Sequence, residues 1–72
     1  MNALDLIKKG SKKLKQRKIE TFLIDTELLL SKALNKKREK ILINLSQKVN
    51  DENISTFNEL IKRRSAKEPI AY

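Results

Sequence analysis

The sequence predicts an all-α fold, a small bundle of four to five short helices that ends in an extended linker. Three observations predict it. Apolar residues recur at helical spacing along nearly the whole chain. One glycine, Gly10, and one proline, Pro69, are the only strong helix breakers in 72 residues. Asn2, Thr21 and Asn50 stand just ahead of apolar-periodic runs, where side-chain N-caps belong. A chain of this length makes one domain at most. It buries only about 60% of its unfolded surface, so marginal stability is expected.

The first helix is expected near residues 3–17, with Leu4, Ile7, Ser11 and Leu14 on one side, Asn2 as its cap and Asp5 in its first turn. Gly10 should weaken it by about 1 kcal/mol relative to alanine. The second runs from a Thr21 cap to Leu34 and is apolar over most of its circumference, through Phe22, Leu23, Ile24, Leu28, Leu29 and Leu30. Such a helix belongs in the middle of a bundle. Asn35 suits the left-handed position that follows it. A short third helix, about 38–44, carries Ile41 and Leu42, behind a poor N-cap, Lys37. Asn50 caps the fourth, which places Ile54, Phe57, Leu60 and Ile61 on one face and Lys62, Arg63 and Arg64 in its last turn, where cations complement the helix dipole. Leu29 and Phe57 are expected in the core. Glu68 precedes Pro69 and is pushed toward extended geometry, so 1–65 reads as the helical domain and 66–72 as the start of a linker.

Composition excludes several function classes. The chain has no cysteine and no histidine, which removes Cys/His metal sites and Ser-His-Asp or Cys-His catalysis. A single glycine leaves no Gly-rich phosphate loop, hence no nucleotide or S-adenosylmethionine pocket of the Rossmann kind. No apolar run exceeds three residues, so neither a transmembrane helix nor a signal-peptide core is expected, and the expected location is cytoplasmic.

The net charge of +8 is unevenly spread. Residues 1–18 contribute +6 and 35–48 contribute +4, while 19–34 sum to −2 and 49–72 to zero. Lys8, Lys9, Lys12, Lys13 and Lys15 form a candidate partner-contact surface on the first helix, and Lys36, Lys37, Arg38 and Lys40 form a second basic stretch. Two blander readings stay open. A charge run on one helix face can be only a solvated face, and thirteen lysines against four arginines also fit AT-rich codon usage. Asp25 and Glu27, two apart on a helix, point in different directions and do not make a catalytic carboxylate pair. Asp25 can instead pair with a basic group of another element, such as Arg63 or Arg64, for about 0–1 kcal/mol if the pair is exposed.

Two stretches together are more specific: Asp-Thr-Glu-Leu-Leu-Leu at 25–30 and, some 33 residues later, Arg63-Arg64 followed by Glu68-Pro69-Ile70-Ala71-Tyr72. In order and spacing they resemble the N-terminal helical domain of the release-factor glutamine methyltransferases, the HemK family. The resemblance covers essentially the whole chain. It departs at Lys67, where relatives often have glycine, and at Lys37, where they often have Ser, Thr or Asp. It implies that the polypeptide continues past Tyr72 into a Rossmann-type methyltransferase domain, with Arg63, Arg64, Glu68, Pro69, Ile70 and Tyr72 at the interdomain junction.

The resemblance further implies a parent enzyme that moves a methyl group from S-adenosylmethionine to the glutamine of the Gly-Gly-Gln loop in peptide chain release factors. The family's Asn-Pro-Pro-Tyr motif and glycine-rich loop have no counterpart in this chain, so no catalytic, cofactor-binding or metal-binding residue is expected here. The expected partners are release factors and the protein's own C-terminal methyltransferase domain, with no membrane and no metal, and the segment is expected to be monomeric. The rival reading is a free-standing basic helical RNA-binding protein. Two Phe, one Tyr and few arginines argue against it, because RNA recognition favours stacking platforms and planar guanidiniums.

Overall fold

Side-chain caps open the first and last helices, and the two between start without one. The computed structural model describes residues 1–66, in which α1 (Ala3–Gln16), α2 (Phe22–Leu34), α3 (Arg38–Leu42) and α4 (Asp51–Ser65) follow one another. The Asn2 side chain accepts from the Asp5 N–H at 2.8 Å, and the Asp5 carboxylate accepts from the Asn2 N–H at 3.5 Å, a reciprocal capping box. Asn50 caps α4 with a single bond, its side chain accepting from the Asn53 N–H at 2.8 Å. Thr21 does occupy the N-cap position of α2, but its hydroxyl donates to the Asp25 carboxylate at 2.8 Å and makes no capping bond. α3 follows Lys37, an N-cap that makes no side-chain bond, and stops at Leu42, short of the expected residue 44. The ladder tightens there, since the Asn44 N–H bonds back to the Ile41 carbonyl, three residues away, at 3.1 Å.

Both long helices before the loop region end in a left-handed residue. Asn35, φ 52°, does so as expected. Lys18, φ 60°, was not legible in the sequence. Its turn is closed by bonds from the Lys18 N–H to the Lys15 carbonyl at 3.0 Å and from the Ile19 N–H to the Leu14 carbonyl at 3.2 Å. Buried Ile19 seals that turn hydrophobically.

α2 is the central element and packs against α1, α3 and α4. Leu29 and Phe57 lie in the core as expected, 4% and 1% exposed. Two expectations about faces need correction. α1 buries Ala3, Leu6, Ile7, Gly10 and Leu14, while Leu4 and Ser11 are only half-buried, so the inward face is turned from the one the spacing suggested. α2 is not enclosed all round: Leu23 and Ile24, on its outer side, remain 50% and 43% exposed.

The reason for the first correction is Gly10. A Cβ placed there would meet Phe57 Cζ at 2.9 Å, Thr26 Cγ2 at 2.9 Å and Ile61 Cδ1 at 3.0 Å. The missing side chain lets α2 and α4 close on α1 at one point. Overpacking by Gly10→Ala costs about 1–3 kcal/mol and the helix-propensity gain offsets about 1 kcal/mol, so a net destabilisation of up to about 2 kcal/mol is expected. Urea unfolding of the variant checks the sign, and a rise in stability would refute the close crossing.

The segment between α3 and α4 is fixed to the start of α1. The N–H groups of Ala3 and Leu4 donate to the carbonyls of Gln47 and Leu45, each at 3.0 Å, and Val49 N–H donates to the Met1 carbonyl at 3.1 Å. With the Asn2 cap, these bonds satisfy donors that a helix N-terminus otherwise leaves unpaired.

Candidate functional site

Successive residues of an α-helix are about 100° apart, so the five candidate lysines fall into two rows. Lys8, Lys12 and Lys15 make one, Lys9 and Lys13 the other, and all five are exposed. Lys9 and Lys13 stand at the rim of a groove of about 210 Å³ between α1 and α4, where Gly10, Phe57 and Ile61 line an apolar floor beside Asn58. Lys15 turns the other way: its Nζ lies 5.6 Å from the centroid of the Phe22 ring, a cation–π contact with the start of α2. The structure thus brings Lys9 and Lys13 together and draws Lys15 aside.

Of the second basic stretch, Arg38 is committed elsewhere. Its Nε lies 2.7 Å from Glu27 Oε1, pairing α3 with α2. Asp25 and Glu27 do diverge, each binding an arginine of a different helix. Asp25 Oδ2 accepts from Arg64 Nε at 3.0 Å, joining the first turn of α2 to the last turn of α4. This is the expected pairing of Asp25 with Arg63 or Arg64, and it is not a surface pair, because the Asp25 side chain is only 4% exposed. Arg17, a residue that sequence reasoning passed over, donates from Nε to the Ser65 carbonyl at 3.0 Å and so satisfies the end of α4. No local spacing signals a contact between residues 48 apart. Arg63 lies on the exposed side of that last turn. Glu68, Pro69, Ile70 and Tyr72 lie outside the described residues.

A cationic rim over an apolar floor, on a helical scaffold, can hold acidic or amphipathic protein surface. Gly10, the one glycine, is buried in mid-helix, so these residues do not fit a cofactor that needs a glycine-rich turn. Among the described residues no cluster of three or more His, Cys, Asp or Glu could hold a metal ion, and no helix is long and apolar enough to cross a membrane.

Residues 5–72 match the family model described as the PrmC N-terminal domain. The chain belongs to that family. It is 37% identical over 67 residues to a bifunctional methyltransferase of Rickettsia felis, covering 93% of this chain and 13% of that protein. It is 35% identical over 69 residues to the release factor glutamine methyltransferase of Leptospira interrogans, covering 96% of this chain and 24% of that protein. The chain thus spans less than a quarter of the length of these relatives. No solved structure matches it. The family assignment agrees with the resemblance carried by the two motifs, and in this chain Asp25 and Glu27 of the first motif pair with arginines of α4 and α3.

Proposed function

We propose that this chain is the helical N-terminal domain of an S-adenosylmethionine-dependent protein-glutamine methyltransferase acting on the Gly-Gly-Gln loop of peptide chain release factors in the cytoplasm. The observation that carries the reading is the family match over residues 5–72. In this reading the domain is monomeric and has no chemistry of its own. The target loop is small, so a second contact from an appended domain raises effective concentration and fixes orientation. Arg63, Arg64 and the residues from Glu68 to Tyr72 lead into the catalytic domain. The exposed Leu23 and Ile24 support a junction at that end of the bundle, since Asp25 beside them bonds to the last turn of α4.

The test uses the full-length protein that contains this chain, S-adenosylmethionine and a purified release factor, with mass spectrometry to locate the methyl group. Methylation of the Gly-Gly-Gln glutamine is the expected result. Methyl transfer only to another substrate would sink the reading.

The orienting role has its own expected outcome. Lys9→Glu/Lys12→Glu/Lys13→Glu keeps the helical circular dichroism, because all three side chains are exposed. It slows association with the release factor by about tenfold at low salt and less at physiological salt, where charge steering is screened over about 8 Å. Stopped-flow mixing at two ionic strengths measures this, and equal rates at both would return these lysines to a solvated face.

A further inference from the structure

We infer that the corner between α3 and the following turn is a second, separate docking surface, and that it takes an acidic protein segment carrying one aliphatic side chain. Ile43 is 78% exposed, the most exposed large hydrophobic residue described, and Leu42 beside it is 36% exposed. Around Ile43 lies an open groove lined by Lys36, Lys37, Lys40, Asn44 and Gln47, with no acidic residue in its wall. Arg38 takes no part, being held by Glu27 on α2.

An exposed isoleucine in a loose loop would carry little meaning. This one stands on a braced corner. Gln47 is held from three sides: its Oε1 accepts from Lys36 Nζ at 3.0 Å, its Nε2 donates to the Asn44 carbonyl at 2.9 Å, and its own carbonyl accepts from the Ala3 N–H at 3.0 Å. The neighbouring Leu45 carbonyl accepts from Leu4 N–H, and Asn2 and Lys48 bridge beyond it. Little ordering remains to be done on binding, which favours affinity. Charge complementarity then selects the occupant. Three lysines without a facing carboxylate call for acidic groups, and an aliphatic side chain at their centre calls for an apolar contact. A nucleic acid would satisfy only the first demand, since Ile43 offers no ring on which a base can stack.

The probe is a short synthetic peptide with one leucine flanked on each side by glutamates, titrated into the isotope-labelled 72-residue chain and followed by NMR. Shifts are expected to concentrate on Lys36, Lys37, Lys40, Ile43 and Asn44. Ile43→Ser should weaken binding about fivefold, and a peptide with serine in place of leucine should lose as much. Lys37→Glu/Lys40→Glu should abolish it. Circular dichroism verifies that the variants fold. Shifts centred on the α1 lysines, indifference to Ile43→Ser, or tighter binding of a uridine homopolymer at the same residues would each overturn the inference. None of these outcomes bears on methyl transfer, so the surface and the proposed function fail independently.

Discussion

Phe57→Ala is expected to leave the chain largely unfolded in plain buffer. Phe57 is 1% exposed and its ring tip stands against Gly10 of α1. Thr26 and Ile61 also reach this point, but glycine offers no side chain to move into the space that the ring would leave. Truncating a buried Phe costs about 3–5 kcal/mol. The whole stability of a 72-residue domain is about 4–11 kcal/mol. A domain that buries as little of its surface as this one belongs toward the low end, where the loss removes most or all of it. The groove lined by Lys9 and Lys13 opens onto Phe57, so water reaches the vacated site and the helices have no dry cavity to close around. Leu29→Ala, 4% exposed in α2, is expected to cost about 2–5 kcal/mol. Circular dichroism melts measure both, with half-exposed Leu42→Ala as the control that should scarcely move. A cooperative, unshifted transition for Phe57→Ala would mean that α1, α2 and α4 do not meet on this ring.

What the sequence disclosed, and what it withheld, divides along the range of the forces involved. Asn2, Asn35 and Asn50 act on backbone groups within a few residues, so their roles are readable from local order. The strength of α4 as an amphipathic helix is equally local. Gly10 reads locally as a defect in α1, and only the arrival of Phe57, Thr26 and Ile61 from two other helices makes it a contact point. Lys18 carries a left-handed turn that lysine does not favour, because burial of Ile19 and the bonds behind it decide the backbone there. The exposure of Leu23 and Ile24 was invisible for a related reason: composition tells how apolar a helix is, not which neighbours are present to cover it. Among the candidate lysines, the pairing of Lys9 with Lys13 follows from helical spacing, whereas the departure of Lys15 depends on the position of Phe22 in the next helix.

The Asp25–Arg64 pair should respond unequally to loss of its two members. Asp25 is 4% exposed and holds the Arg64 Nε at 3.0 Å and the Thr21 hydroxyl at 2.8 Å. Arg64 is 21% exposed and reaches solvent along part of its length. Arg64→Met leaves a buried carboxylate with a single neutral donor from Thr21, and the expected cost is about 3–5 kcal/mol. Asp25→Leu leaves a guanidinium that is already partly exposed, so its cost should be smaller, about 1–3 kcal/mol. The double variant Asp25→Leu/Arg64→Met removes both charges and fills the space with apolar atoms. It should be markedly more stable than the sum of the single losses predicts, because most of the cost of Arg64→Met is the stranded charge and not the lost attraction. Urea unfolding of the four proteins gives the coupling energy directly. Additive losses would mean that the two side chains do not depend on each other. A near-neutral double variant would show that the pair fixes how α2 meets α4 without adding net stability.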